Sequence, residues 1–286
     1  MIELCGLTKR FGGETAVDHL SLTIYDGELF GLLGPNGAGK TTTVSMLSTV
    51  LLPTEGQILL DGVPLTRKAS AGRRRISVIT QEYSMRQDMT MAEVMEYQGR
   101  LYRMALPEIR ERSEELLQYA GLLEHRNKRV RHLSGGMKRK LMICRALLTE
   151  PDILLLDEPT AGMDAISRRQ TWDILRSLRE KRITILLTTH FMEEAEKLCD
   201  RIAFLKKGVL SGTGTPEDFI RQLGKYTVET YADGKSECRH FAEREEALAF
   251  YRGLPEGAVL RDTTLEDVFI SVGGAPLPGQ TLRGGI

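Results

Sequence analysis

The chain has 286 residues, of which 41% are hydrophobic and 27% are charged, and its 39 basic side chains balance its 39 acidic ones. This composition is typical of folded globular proteins and excludes a disordered chain. The zero net charge argues against nucleic-acid binding by the whole chain, and no apolar run approaches the roughly 20 residues that a membrane-spanning helix needs.

The chain begins with short strands and then a buried one. Residues 2–7 and 20–24 are predicted strands, separated by a glycine pair at residues 12 and 13. The continuous apolar run Leu29–Leu33 is typical of a strand that is buried on both faces. Four later apolar runs, several of them separated by helical stretches, lie at residues 76–79, 153–156, 183–187 and 202–205. This alternation predicts an α/β fold with a mainly parallel sheet.

The pattern changes twice further along the chain. Strand signals vanish between residues 85 and 150, where charged helical segments dominate and a helix is predicted over residues 108–120. A cluster of glycine, threonine and proline at residues 212–216 then precedes a short α+β extension. We expect the last twelve residues, in which glycine and proline are prominent, to be frayed.

A glycine-rich loop follows the buried strand and fits the pattern G-x-x-x-x-G-K-[ST] without a mismatch. The glycines let successive backbone N–H groups turn towards phosphate oxygens, and the next helix presents its positive end to the same anion. Lys40 supplies a charge for the β and γ phosphates, and the Thr41 hydroxyl can ligate Mg²⁺. The predicted nucleotide-binding residues here are Gly34, Pro35, Asn36, Gly37, Ala38, Gly39, Lys40, Thr41 and Thr42.

Two acidic residues follow the apolar run at residues 153–156. Carboxylates at the carboxyl end of a parallel strand lie where open α/β sheets bind ligands. Asp157 is suited to hold Mg²⁺, directly or through water, and Glu158 to orient and deprotonate an attacking water. Alone, the pair could equally cap a helix that follows a strand. Together with the glycine-rich loop, it favours a catalytic site.

A second candidate anion site lies at Ser134, Gly135 and Gly136, just before a predicted helix. The serine could be a plain helix N-cap. A Ser-Gly-Gly sequence at a helix start can also bind an anion, because its backbone N–H groups are exposed there. Since the chain already has one complete phosphate loop, a second site suggests that two chains share each nucleotide.

The order of these motifs resembles that of the ATP-binding cassette (ABC) ATPases over roughly residues 1–220. The phosphate loop is followed by Gln81 after a strand, then by Leu-Ser-Gly-Gly, by Asp157 and Glu158, by Ala-Gly-Met-Asp at residues 161–164, and by His190. Leu-Ser-Gly-Gly is the discriminating element, because other phosphate-loop enzymes lack it. The resemblance implies ATP and Mg²⁺ as cofactors.

The resemblance also implies roles for single residues. Phe11 matches the aromatic residue that stacks on adenine. Gln81 matches the residue that contacts Mg²⁺ and water and that signals to a membrane partner. His190 matches the switch that contacts the γ-phosphate. Residues 134–136 would grip the γ-phosphate bound to the opposite subunit, and Asp164 would lie at the dimer seam.

The resemblance implies an α/β fold of four parts: a P-loop NTPase core with a mainly parallel sheet, an N-terminal antiparallel β subdomain, an inserted all-helical subdomain and a small C-terminal α+β extension. We expect the nucleotide-binding core and the β subdomain at residues 1–84 and 150–215, the helical subdomain at 85–149 and the extension at 216–286.

The C-terminal sequence Thr-Leu-Glu-Asp-Val-Phe at residues 264–269 resembles the ending of ATPases that serve exporters of drugs, antibiotics, lipids or polysaccharides. Alternatively, it is only an amphipathic cap helix. The resemblance implies an exporter ATPase that drives transport through a separate transmembrane permease and works as a homodimer. An importer ATPase, a soluble ABC ATPase and a non-catalytic nucleotide-binding subunit are the alternatives.

Several features bear on the location of the chain. The N-terminus lacks the basic flank and apolar segment of a secretory signal. The scattered cysteines, Cys5, Cys144, Cys199 and Cys238, are expected to be free thiols in a reducing cytoplasm. The basic stretch at residues 126–131 is either a solvated face or a surface for lipid headgroups or an acidic partner loop. We therefore expect a cytoplasmic protein, bound to the inner face of the membrane through its permease, with no nucleic-acid partner.

Overall fold

The computed structural model of the chain describes residues 1–68, 72, 74–82, 84–232, 235–254 and 257–272. The strands are β1 Ile2–Phe11, β2 Glu14–Ile24, β3 Leu29–Leu33, β4 Glu55–Leu60, β5 Val63–Pro64, β6 Ile76–Ile79, β7 Ile153–Asp157, β8 Thr184–Thr189, β9 Arg201–Lys206, β10 Val209–Gly214, β11 Tyr226–Ala232, β12 Lys235–Phe241 and β13 Val259–Asp262. The helices are α1 Lys40–Leu47, α2 Met91–Leu101, α3 Leu106–Tyr119, α4 Gly135–Leu147, α5 Ala165–Glu180, α6 Met192–Leu198, α7 Pro216–Leu223, α8 Arg244–Arg252 and α9 Leu265–Val272. The last twelve residues, predicted to be frayed, lie outside the described residues.

A central six-stranded sheet has the order β10-β9-β3-β8-β7-β6 and is parallel except for the edge strand β10. Every residue of β3, β7 and β8 is buried, which explains why these strands appear in the sequence as unbroken apolar runs. The predicted α/β fold with a mainly parallel sheet is confirmed. Because β3, β7 and β8 are parallel neighbours, their carboxyl ends meet at one edge of the sheet.

An antiparallel sheet of order β2-β1-β4-β5 lies beside the central sheet, and the two share one apolar cluster through β3 and α1. The strands β1 and β2 are longer than predicted, because a hairpin at Gly12 and Gly13 joins them end to end. Register shifts along this pair break the alternation of buried and exposed residues on which the prediction depended. The strands β4 and β5 were not predicted from the sequence.

The segment between β6 and β7 contains α2, α3, two short 3₁₀ turns at Leu123–His125 and Val130–His132, and α4. Helix α3 begins at Leu106, two residues before the predicted start, with Pro107 in its first turn. Thr90 and Glu93 form a capping box at the start of α2. Helix α4 contributes Leu141, Met142 and other buried residues to the apolar cluster that also covers the central sheet.

The C-terminal extension contains a three-stranded antiparallel sheet of order β12-β11-β13. Helix α9 of this extension packs against the core of the central sheet. Leu265 and Val268 are fully buried, and the Leu265 N–H donates a hydrogen bond of 2.8 Å to Glu196 in α6. The Leu-Glu-Asp-Val-Phe segment is therefore a packed amphipathic helix in this chain.

Among the described residues, no helix combines the length and the apolar character that crossing a bilayer requires. All four cysteines are free thiols.

Candidate nucleotide site

The carboxyl ends of three neighbouring strands bring the predicted motifs together. The phosphate loop at residues 34–39 follows β3. Asp157 ends β7 with Glu158 directly after it, and His190 follows β8. In a parallel sheet these ends lie side by side, which is the position where open α/β sheets bind ligands. The site is therefore built by the order of the strands.

The phosphate loop is held in a conformation that requires glycine. Gly39 has φ +102°, and a Cβ atom there would lie 2.4 Å from the Ala16 carbonyl oxygen. Gly37 has φ +79°. Helix α1 begins at the next residue, Lys40, so its first N–H groups point towards the loop. Loop and helix together form an anion-binding cradle.

Lys40 is buried beneath this loop, with 5% of its surface exposed. Its ammonium group donates hydrogen bonds to the carbonyl oxygens of Gly34 at 2.8 Å and Pro35 at 3.1 Å. Burial lowers the pKa of Lys40 from its ordinary value, and the charges of Glu158 and Asp157 oppose that change. The lysine is thus a fixed cation directed into the site.

Asp157 is buried and accepts hydrogen bonds from the hydroxyl groups of Thr188 at 2.6 Å and Thr41 at 3.2 Å. Two hydroxyl donors from different elements fix the direction of its carboxylate. The oxygen atoms of Thr41 and Asp157, both hard ligands, lie close enough to share one small cation.

Glu158 has an unusual backbone, with φ +48° in the left-handed region. Its N–H donates to the Thr188 carbonyl oxygen at 3.1 Å, which fixes the residue against β8. Its Oε1 atom lies 3.1 Å from Nδ1 of His190 and 3.8 Å from Nζ of Lys40. The carboxylate is therefore placed between the ammonium group of Lys40 and the imidazole ring of His190.

These residues line one cleft of about 600 Å³. Phe11, with 48% of its surface exposed, and the exposed Gln81 lie in the same cleft as Glu158 and His190. The predicted phosphate-loop residues that line it are Asn36, Gly37, Ala38, Gly39, Lys40, Thr41 and Thr42. Gly34 and Pro35 do not line the cleft, and they contact Lys40 through their carbonyl groups. Thr41 also lines a neighbouring groove, and Asp157 lines that groove but not the cleft.

The residues of the second predicted anion site do not line this cleft. The Ser134 hydroxyl accepts a hydrogen bond from the Met137 N–H and caps α4. Gly136 approaches α5 so closely that a Cβ atom there would lie 2.6 Å from the Ser167 hydroxyl oxygen. Asp164 caps α5 by accepting the Ser167 N–H at 2.9 Å. The Ser-Gly-Gly segment and Asp164 thus form a separate surface of the chain.

Residues 17–161 match the ABC transporter family. The chain is 38% identical over 295 residues to the Nod factor export ATP-binding protein I of Cupriavidus metallidurans, with 96% of this chain and 97% of the relative covered. It is 42% identical over 247 residues to the protein of the same name from Ralstonia nicotianae, covering 85% and 77% of the two chains. The chain belongs to the ATP-binding subunits of ABC transporters. It is an ATPase, and these relatives assign it to the exporters.

Solved structures agree with this assignment. The fold matches a dimeric ABC cassette in a post-hydrolysis state with ADP and Pi, with a TM-score of 0.68, 29% identity and coverage of 75% of this chain and 98% of that one. The P-loop NTPase fold of the cassette is therefore confirmed, as is nucleotide binding by the family.

Two buried charged residues near the cleft of this ABC ATPase were not predicted from its sequence. Arg139 in α4 and Glu194 in α6 are 3% and 0% exposed. Arg139 stands within the basic run Lys-Arg-Lys at residues 138–140, which looks like a solvated face. Glu194 follows another glutamate, Glu193. Nothing in the local sequence distinguishes the buried member from its neighbours.

Glu194 lies directly behind the cleft. Its Oε1 atom accepts hydrogen bonds from the Thr160 hydroxyl at 2.8 Å and from the indole N–H of Trp172 at 3.0 Å. Burial raises the pKa of Glu194, and hydrogen bonds from Thr189, Thr160 and Trp172 offset this only in part. The folded cassette therefore binds a proton here more tightly than the unfolded chain does.

This linkage predicts how Glu194→Gln changes stability. As the pH rises through the ordinary glutamate range, the unfolded wild type releases this proton first, so its stability falls. Glutamine has no proton to release. The free energy of unfolding of Glu194→Gln, relative to wild type, should therefore be higher at pH 8 than at pH 5. Urea unfolding followed by the fluorescence of Trp172, the single tryptophan, measures it.

Glu193→Gln is the matched control. A hydrogen bond from Lys197 lowers the pKa of Glu193. The Glu193 carboxylate therefore contributes stability that is present above the ordinary glutamate range and is lost only at lower pH, so the stability of Glu193→Gln relative to wild type should be almost the same at pH 8 and at pH 5. An equal pH dependence in both variants would contradict the raised pKa of Glu194.

Proposed function

We propose that two copies of this cassette close head to tail around two Mg-ATP and, on hydrolysis, reopen to drive export through a separate transmembrane permease. One observation carries the proposal: the cleft gathers Lys40, Glu158 and His190 within 4 Å, whereas Ser134 to Gly136 lie outside it. A second copy would supply that segment to complete each site. The dimeric form of the solved relative supports this arrangement.

Within each site, Lys40 would bind the β and γ phosphates while the N–H groups of the loop hold the phosphate oxygens. The residues that would hold Mg²⁺ are Thr41, Asp157 and Gln81, a set of oxygen donors that suits this ion. When bound, Mg²⁺ neutralises charge on the phosphates. The fixed orientation of Asp157 by Thr188 supports its place in this set.

Glu158 would orient the attacking water and accept its proton. The ammonium group of Lys40 lies 3.8 Å from this carboxylate, so the proposed base and the proposed phosphate-binding cation are neighbours. His190, at 3.1 Å from the same carboxylate, would contact the γ-phosphate and hold the base in position. In phosphoryl transfer most of the rate enhancement comes from such positioning and charge stabilisation.

Phe11 would stack on adenine. Its ring is exposed at the end of β1, in the cleft that the phosphate loop lines. An exposed aromatic ring beside a phosphate site suits a nucleobase, because each base has a π face to stack on. Nζ of Lys9 also lies over this ring, 5.2 Å from its centroid. Gln81 lies in this cleft and also in the neighbouring groove, so it could report occupancy of one to the other.

That neighbouring groove is the proposed docking site for a cytoplasmic helix of the permease. It has a volume of about 920 Å³ and lies between the core and the helical region. Its lining includes Val50 on the core side and Tyr102 at the end of α2, both exposed. Tyr97 and Leu101 add exposed apolar surface on the same helix. Exposed apolar surface of this extent beside a groove is typical of a protein-binding site.

The cargo would be chosen by the permease, through which it crosses the membrane. The relatives are named for Nod factor export, and we extend export, as a class, to this chain. The permease would also hold the ATPase at the inner face of the cell membrane.

Cysteine cross-linking tests the docking. The accessible thiols of Cys5 and Cys238 are first replaced by serine, and a cysteine is then placed at Gln98 or Tyr102 in the groove. We expect both positions to cross-link to cysteines in the cytoplasmic loops of the co-expressed permease. A cysteine at Glu115, which lines a pocket at the other end of the sheet, is the matched control and should not cross-link.

Membrane association provides the second readout. The chain should sediment with membranes only when the permease is present. Efficient membrane binding by the chain alone, or equal cross-linking from Glu115, would contradict the proposed docking.

A further inference from the structure

Arg139 is a buried arginine that contacts the catalytic edge of the sheet from outside the cleft. It lies in α4, five residues after Ser134, and is 3% exposed. Its Nη1 atom donates to the Thr80 carbonyl oxygen at 2.7 Å, and Nη2 donates to that of Glu158 at 2.6 Å. Nη2 also donates a longer hydrogen bond, of 3.4 Å, to the Asp157 carbonyl oxygen, and Nε donates to the Pro159 carbonyl oxygen.

These carbonyl groups need a donor because of where they lie. The strands β6 and β7 are parallel neighbours, with Ile79 opposite Leu156. Just beyond this pair β6 ends, so Asp157 has no partner in β6, and Thr80, Glu158 and Pro159 lie outside both strands. A buried carbonyl group without a donor is costly. The planar guanidinium group, with five N–H donors, can bind several of them at once.

The contact with Glu158 matters most, because its backbone adopts a left-handed conformation that is unfavourable for a residue with a side chain. The N–H side of this residue is fixed by Thr188 and the carbonyl side by Arg139. The two contacts together fix the direction in which the Glu158 side chain leaves the backbone. Loss of either would let the carboxylate move relative to Lys40 and His190.

We propose that Arg139 is a positioning residue, which aligns Glu158 and couples it to the Ser-Gly-Gly segment on the same helix. The start of α4 presents Ser134 and Gly135 on the surface, with Gly136 buried against α5, and its next turn presents Arg139 to the chain's own Glu158. When the partner's nucleotide engages the start of α4, the guanidinium group transmits the position of the helix to the catalytic carboxylate. The Thr80 contact extends the same link to the residue before Gln81. The inference depends on the proposed function, in which Glu158 is the base and residues 134–136 face a second copy.

The first test compares Arg139→Lys and Arg139→Met with Arg112→Met. Arg112 is a matched control, because it also donates to main-chain carbonyl groups of the α4 end, at Leu147 and Leu148, far from the strand ends. We expect kcat to fall by about 10-fold in Arg139→Lys and about 100-fold in Arg139→Met, since small displacements of a catalytic group cost this much. The affinity for ATP should not change, and Arg112→Met should hydrolyse ATP like wild type.

Thermal unfolding of each variant distinguishes a loss of activity caused by misfolding from one caused by displacement of the Glu158 carboxylate. If Arg139→Met does not fold, Arg139→Lys, which keeps the charge but not the planar fork, decides the question. Wild-type kcat in Arg139→Lys, or a loss that lies only in ATP affinity, would overturn the inference.

The second test combines Arg139→Lys with Glu158→Gln. If Arg139 acts through Glu158, its replacement should lower kcat no further once the carboxylate is gone. The same fold loss in both backgrounds would show a general structural role and overturn the inference. If Glu158→Gln alone hydrolysed ATP normally, Glu158 would not be the base, and the inference about Arg139, which depends on that role, would be overturned with it. Wild-type kcat in Arg139→Lys with an inactive Glu158→Gln would overturn only the inference about Arg139.

Discussion

Replacement of Glu158 by glutamine is expected to leave ATP binding nearly unchanged and to lower turnover by about 10²–10⁴-fold. Lys40 and the phosphate loop, which would bind the nucleotide, are untouched. Glutamine keeps the shape and a hydrogen-bonding group beside His190, at 3.1 Å in the wild type, but cannot accept a proton from water. ATP binding by fluorescence titration and phosphate release in steady state measure the two quantities separately.

The same variant should trap the dimer, because the ATP that joins two copies is no longer cleaved. Size-exclusion chromatography with Mg-ATP should show a dimer for Glu158→Gln and mostly monomer for wild type. Lys40→Ala is the control: it weakens nucleotide binding itself and should remain a monomer. Near-normal turnover in Glu158→Gln would remove this residue from the catalytic role and leave it as a strand-end cap.

Replacement of Ser134 by arginine should abolish turnover while ATP binding by the monomer remains nearly intact. Ser134 is exposed at the start of α4 and does not line the chain's own cleft. A long cation there would block the approach of a second copy's nucleotide. Ser134→Ala, which removes the helix cap at a cost of about 1 kcal/mol but adds no cation, is the matched control for loss of the N-cap.

A mixture of Ser134→Arg and Lys40→Ala chains tests whether the sites are shared. In the heterodimer, one site would combine the intact Lys40 of one chain with the intact Ser134 of the other, and the second site would carry both defects. Some ATPase activity should therefore return. If heterodimers form and the mixture stays as inactive as either parent, each site is complete within one chain.

The sequence predicted well which residues meet at the carboxyl ends of β3, β7 and β8, because the patterns that identify these residues are local. Strands buried on both faces appear as apolar runs, and the residue just after such a run lies at a strand end. This is why Gly34, Asp157 and His190 could be assigned to one edge before any contact was known. The glycine-rich loop is equally local, since its positive φ angles depend on the glycines themselves.

Features that depend on distant contacts were not predicted. The strand β4 pairs with β1 although Gly56 lies within it, and its first three residues are exposed, so it lacks an apolar pattern. Arg139 is buried against carbonyl groups at and just beyond the ends of β6 and β7, which are 18 to 59 residues away in sequence. Likewise, the partners of Glu194 come from two other elements. A local pattern cannot show which member of a charged run turns inward.

The last helix, α9, completes the apolar core of the ATPase. The ring of Phe204 in β9 packs edge-on against Phe219 in α7, with 5.0 Å between centroids, and stacks with Phe269 in α9 at 6.2 Å. Leu265 and Val268 belong to the same cluster as Ala195 and Leu198 of the helix that follows His190. If the chain were shortened before this helix, these aromatic and aliphatic surfaces would face water. The C-terminal extension and the cassette therefore fold together. A partner that displaced α9 would also displace α6, the helix that follows His190.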